Sequence, residues 1–307
     1  MMVEDLTLIK KLDIDQFGDI YLSSKKGDNS YYATHICKKI SSLSEFGPLF
    51  YLKNYISICL DTNHPNIIKL FEIKETKDKI FLVKEYYNGG TLRSFLEKNN
   101  NAPLSEEIIQ YIMRQLIEAV KYLHDKKIIH RDLQLDNIII NYDDENNSIN
   151  NNIMEGKFKI FNLMCSCYLA KGELAHRIIG NPVYMDPNIE NEDGYDEKVD
   201  LWNLGLIFYE LLMGKRPFGN IEKINKGDYF VPTSISKEAL SFLNCMLQYE
   251  PKKRKNADIL YNHPFLRKNV NNFTKIKEDM DKSEIKMNIK NNDYEILNVL
   301  NEFEANF

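Results

Sequence analysis

The sequence predicts an α+β chain in which a small antiparallel-sheet lobe precedes a larger helical lobe. Three observations carry that prediction. Short runs rich in β-branched and aromatic residues fill positions 7 to 86. A flexible break, Asn88-Gly89-Gly90, follows them. Beyond it, apolar residues recur at spacings of three and four, the period of a helix with one buried face.

Taken in order, LTLIKKLDI, DIYLSS, SYYATHIC, KLFEIKE and KIFLVKEY read as the strands. One helix, roughly 48 to 60, interrupts them; Pro48 suits its first position because proline's fixed φ fits a first turn. Ser105 reads as an N-cap with Glu106 and Glu107 in the first turn, where acids face the positive end of the helix dipole. Ile108, Ile109, Ile112, Met113, Leu116, Ile117, Val120 and Leu123 then form its apolar face. The Asn-rich stretch NYDDENNSINNNIMEG, 141 to 156, reads as a polar hairpin loop between the strands NIIIN and KFKIF. The run LGLIFYELLM at 204 to 213 is too short to span a bilayer and carries Glu210, so it reads as a buried helix. The domain reading is an N-lobe over 1–87, a hinge about 85–90, a C-lobe over 88–268, and a charged linker with an amphipathic helix over 269–307.

Forty-five acids against forty bases give a formal net charge of -5. With no concentrated basic stripe, nucleic acid is not an expected partner, and PKKRK at 251–255 reads as a solvated loop. The start, MMVEDLTLIKKLD, lacks a cationic lead before an apolar run, so no secretory signal and no membrane partner are expected. Five cysteines without a spacing framework suggest reduced thiols and a cytoplasmic setting; Cys165-Ser166-Cys167 is a weak metal signal, and no metal is expected.

The stretch IIHRDLQLDNIII, 128–140, sets His130-Arg131-Asp132 five positions before Asn137. With it come HPNIIKL at 64–70, FLVKEYYNGGTL, GNPVYMDPN, DLWNLGLIFYELLMGKRPF, Arg254 and HPFL at 263–266, all in order. On these residues the chain resembles the eukaryotic protein kinase family over 7 to about 268, which implies a bilobal protein kinase fold. KINKGDYFVP and MLQYEPKKR look most like the calcium/calmodulin-dependent branch.

The resemblance also implies a set of fixed charges, because phosphoryl transfer depends on positioning and electrostatics, and several are replaced here. The glycine loop reads Asp13-Ile14-Asp15-Gln16-Phe17-Gly18, keeping only Gly18. Two carboxylates near phosphate would each repel it by roughly 1 to 4 kcal/mol, unless Asp13 and Asp15 turn outward; both readings stand. After Ala33 and Thr34, the strand lysine is His35, mostly neutral at pH 7. Its glutamate partner is replaced by Tyr55, and residues 46–60 contain no acid. The metal-holding aspartate is Asn162, followed by Leu163 and Met164, and Gln134 replaces the loop lysine. Lys84, before the hinge residue Glu85, either substitutes for the lost lysine or fills the pocket against Tyr55 or Asn162. No Ser, Thr or Tyr lies between Ala170 and Gly180, so no hydroxyl is available there for phosphate switching.

Three expectations follow, the first two from the resemblance and the third from spacing. The chain is expected to be a pseudokinase without enzymatic activity, cofactor or bound magnesium-ATP, in which Asp132 and Asn137 are relicts and the chain serves as a scaffold for protein partners. The alternatives are a nucleotide sensor without turnover and a weak atypical serine/threonine kinase using Lys84 and Asp132. Arg254, whose usual acid is lost from Asp186-Pro187-Asn188, is expected to pair with Asp186. In DYEILNVLNEFEANF, Ile296, Val299, Leu300, Phe303 and Phe307 form one stripe, making 293–307 a helix that docks either on its own large lobe or in a partner's groove.

Overall fold

The structure, a computed structural model, describes residues 2–3, 5–14, 17–38, 48–143, 152–189, 193–218 and 229–267. Asp15, the start of KINKGDYFVP and the whole of 269–307, with its docking-helix expectation, lie outside the described residues. The chain divides into two compact units. Among the described residues, the first takes the chain up to Asn63 together with Ile68–Tyr87; the second takes His64–Ile67 and the chain from Asn88 to Arg267.

The first unit is an antiparallel sheet with one helix. Its strands are β1 (Met2–Val3), β2 (Leu6–Ile14), β3 (Gly18–Lys25), β4 (Tyr31–Lys38), β5 (Leu70–Glu75) and β6 (Lys79–Glu85), in the spatial order β1-β2-β3-β4-β6-β5. Helix α1 spans Pro48–Asp61, starting at the proline that the sequence marks. β4 lies between β3 and β6, and Ala33 through Cys37 are all buried, so both of its faces are covered. That explains why buried positions run unbroken from Ala33 to Cys37 in place of alternation, Thr34 and His35 included. Gly18 opens β3 opposite Cys37, where a Cβ would lie 1.9 Å from the Ile36 carbonyl oxygen. A bare backbone is the only one that fits there.

The second unit is mainly helical: α2 (Leu92–Lys98), α3 (Glu106–Asp125), α4 (Lys198–Met213), α5 (Lys237–Met246), α6 (Ala257–Tyr261) and α7 (Pro264–Arg267). Ser105 caps α3, its hydroxyl accepting from the Ile108 amide at 3.4 Å. α4 is buried from Val199 to Leu212, as expected of LGLIFYELLM. Phe208 on α4, Phe242 on α5 and Phe265 on α7 meet as an aromatic core, with ring centroids 5.1 to 5.3 Å apart. Two small ladders complete the unit: β7 (Ile128–Ile129) pairs with β10 (Cys167–Tyr168), and β8 (Ile138–Asn141) with β9 (Lys157–Ile160). The segment His64–Ile67 belongs here because Asn66 donates to Gln115 at 3.0 Å and to the Phe158 carbonyl at 2.8 Å, and Ile67 bridges Ile160. Among the described residues no helix is long and apolar enough to cross a membrane.

Candidate catalytic loop

The two ladders hold the loop at its ends. β7 delivers the chain to His130, β8 receives it after Asn137, and β9 carries it on to Asn162. Asp200, in the first turn of α4, anchors the start. One of its oxygens accepts from the His130 amide at 2.9 Å and faces His124 Nε2 at 2.9 Å, while the other accepts from the Arg131 amide at 2.8 Å. Burial opposes the charge on Asp200, but the His124 hydrogen bond and the charges and amide around it outweigh burial and hold its carboxyl below the usual range. Burial likewise pushes the His130 imidazole down, which leaves its Nδ1 to accept from the Asp132 amide at 3.2 Å. Arg131 adopts a left-handed φ of 68° and donates to the Cys165 carbonyl at 2.6 Å and to the Tyr195 hydroxyl at 3.3 Å.

At the loop's centre the Asp132 carboxylate is held by three donors. Asn137 Nδ2 reaches one oxygen at 2.7 Å; Gln134 Nε2 at 3.0 Å and the Asn181 amide at 2.9 Å reach the other. A carboxylate has about four acceptor directions, so one remains for an incoming hydroxyl. Gln134, where the family keeps a lysine, is thus engaged on both sides: its carbonyl oxygen also accepts from Asn181 Nδ2 at 2.6 Å. Asn181 can approach because Gly180 precedes it. That glycine has a φ of 108°, and a Cβ there would stand 2.5 Å from the Arg131 carbonyl.

Asn181 is the residue that reading the sequence missed. Its place directly after Gly180 in GNPVY was visible, but its contact with Asp132 spans 49 positions and no periodicity signals it.

Asn162 also sits in this unit, in a left-handed conformation with φ 62°, and donates to the Asn137 side-chain oxygen at 3.2 Å. These two asparagines are the residues that would hold magnesium. They offer neutral amide oxygens, one already engaged by the other's N–H, and the carboxylate bonded to Asn137 is that of Asp132. Magnesium prefers carboxylate and phosphate oxygens in strict octahedra, so this donor set does not fit a tightly held ion. Cys165 and Cys167 are no better placed as ligands: burial pushes the first thiol up to about 12 and raises the second.

In the first unit, Asp13 is exposed and its carboxylate accepts from the Ile14 amide at 2.8 Å. His35 is fully buried in β4 opposite Ile20 and Leu82, and Ala33 faces Leu22 and Lys84. The Lys84 ammonium lies 5.7 Å from the centre of the Tyr55 ring on α1, a cation–π contact in place of the family's lysine–glutamate pair. Burial pushes the nearby Cys59 thiol up to about 12, against hydrogen bonding from Tyr55 and the Lys84 charge. Away from the loop, Arg254 and Asp186 form a fully buried ion pair with two contacts, one of them 3.1 Å, as the sequence led us to expect.

A small sheet unit and a larger helical unit carrying a His-Arg-Asp loop of this kind are the parts of a protein kinase fold. The profile of the protein kinase domain matches residues 7–266, and the chain belongs to that family. It is 33% identical over 271 residues to Myosin light chain kinase A of Dictyostelium discoideum, covering 84% of this chain and 86% of that protein. It is 33% identical over 253 residues to CBL-interacting serine/threonine-protein kinase 12 of Arabidopsis thaliana, covering 80% of this chain and 49% of the relative. To an Aurora kinase of Candida glabrata it is 29% identical over 275 residues, 88% of this chain and 73% of the other.

These matches overturn the expectation of a chain without enzymatic activity, since relatives named as kinases over most of its length point to a kinase enzyme. That expectation rested on the joint loss of the strand lysine, its glutamate, the metal-holding aspartate and two loop glycines. The structure adds that the Asp132 carboxylate, at the centre of the loop, is held by three donors.

Proposed function

We propose that the chain is a slow, atypical serine/threonine protein kinase in which Asp132 positions the acceptor hydroxyl. The observation that carries this reading is the Asp132 carboxylate, buried and held by Asn137, Gln134 and Asn181 with one acceptor direction to spare. The hydroxyl donates to that direction, which aims its oxygen lone pair at the terminal phosphorus of a nucleoside triphosphate. The new O–P bond forms as the bond to the diphosphate leaving group breaks, and the hydroxyl proton passes to the carboxylate. Holding the acceptor in this way supplies the orientation part of the rate. The electrostatic part is reduced, because Gln134 is neutral where a lysine would face developing charge. Loss of one such stabiliser costs about 10²–10³ in rate. Within the family we place the chain nearest the calcium/calmodulin-dependent branch, on the phrases KINKGDYFVP and MLQYEPKKR. The test is phosphate transfer from labelled ATP to a serine/threonine peptide library. Transfer by the intact chain that falls at least a hundredfold in Asp132→Asn supports the reading; equal incorporation by both defeats it.

A further inference from the structure

The two asparagines at the family's metal positions are tied to each other. Asn162 Nδ2 donates to the Asn137 side-chain oxygen at 3.2 Å. Asn137 Nδ2 spends its own hydrogens on Asp132, at 2.8 Å to the backbone carbonyl and 2.7 Å to the carboxylate. Asn162 keeps a second N–H and its side-chain oxygen without partners among the described residues. It is half-buried, and its left-handed backbone, φ 62°, is one that asparagine and aspartate tolerate. Among the described residues no group of three carboxylate, imidazole or thiol side chains gathers to hold a metal ion.

Charge decides what such a site takes. Magnesium is held by one or two carboxylates together with the phosphates it bridges. Without the ion, a carboxylate at 162 would face phosphate oxygens with a like charge, whereas an amide offers them a donor. Losing ion and carboxylate together removes the attraction and the repulsion at once. Gln134 fits the same scheme, a neutral side chain bonded to Asp132 at 3.0 Å and to Asn181 at 2.6 Å. Asp132 keeps its charge, but three donors already face it. We infer that Asn162 is a nucleotide-binding residue whose amide N–H donates to a phosphate oxygen, so that the chain takes ATP as the metal-free anion and magnesium has no part in holding it. The inference rests on the proposed kinase activity and deepens it by naming the ionic form of the phosphate donor.

The experiment uses the intact chain and ATP carrying a fluorescent label on its ribose, with binding read by anisotropy in excess EDTA and in millimolar magnesium. We expect the native chain to bind at least as tightly in EDTA as in magnesium. Asn162→Asp suits the same backbone but exchanges the donor for a charge, and should bind at least tenfold more tightly in magnesium than in EDTA. Asn162→Gly removes the amide from a backbone that glycine adopts freely, and should weaken binding at least threefold in both buffers. It serves as the test if the aspartate variant does not fold. A native chain that binds more tightly in magnesium overturns the inference. So does an aspartate variant indifferent to the ion, or a glycine variant that binds like the native chain. Phosphate transfer followed in both buffers separates this inference from the kinase reading. Binding as expected without transfer in either buffer keeps the inference and defeats the kinase reading. Transfer that stops in EDTA defeats the inference and keeps the kinase reading. A folded native chain that binds no ATP in either buffer defeats both.

Discussion

Arg254 shows how far single residues can be read. An arginine kept where its usual acid has become Asn188 implied a replacement carboxylate close by in sequence, and Asp186 supplies it from two positions upstream. That pair was legible because a buried guanidinium without a counter-charge is too costly to persist. Asp186→Ala removes the partner while leaving the charge buried, so we expect a loss of about 3–5 kcal/mol in denaturant unfolding, with the midpoint and not the slope carrying the change. A second residue-scale consequence concerns pH. Burial, helped by the charge of Lys159, pushes His64 down to about 4, so the unfolded chain takes up its proton first. Stability from this group is complete above an unfolded pKa near 6.5 and is lost as the pH falls toward about 4. The buried His130 adds to the same slope, and Asp200, held below the usual carboxylate range, extends the loss below about 4. His64→Asn keeps an acceptor for the Asn66 amide, now bound to His64 Nδ1 at 3.1 Å. We expect it to reduce the rise in stability between pH 4 and 6.5 without abolishing it.

At the scale of elements, strands and helices were legible wherever periodicity or a cap marked them. Pro48 starts α1, Ser105 caps α3, and the run at 204–213 is buried within α4. β4 was legible as a strand, but its place at the interior of the sheet, between β3 and β6, is set by pairing far along the chain. Gly18 illustrates a feature open to two explanations. The family resemblance assigns it to phosphate binding, whereas the structure gives it a packing role against the Ile36 carbonyl. Gly18→Ala should therefore destabilise the first unit by about 1–3 kcal/mol in thermal or denaturant melts, whether or not nucleotide is added. A variant that melts like the native chain without nucleotide would show that this contact is easily relaxed. The hydrogen bonds that tie Asn181 to Gln134 and Asp132 were not legible, since they join a turn and a loop with no shared pattern.

For the whole molecule, the order of motifs was sufficient to identify the family, because each motif marks a different piece of one fold. Activity was harder to read. His35, Tyr55, Asn162 and Gln134 each remove a charge that phosphoryl transfer uses, and their count suggested an inert protein. The relatives named as kinases contradict that conclusion, and the donor set around Asp132 gives a physical basis for a slow reaction instead. The most direct test is the rate of phosphate transfer from labelled ATP to serine or threonine by the intact chain, measured beside Asp132→Asn over incubations long enough to detect a rate about 10²–10³ below that of an enzyme with its lysine in place. Slow incorporation by the native chain that falls at least a hundredfold in the variant is the predicted result. Incorporation by the native chain that is indistinguishable from Asp132→Asn, with both proteins folded, would contradict it.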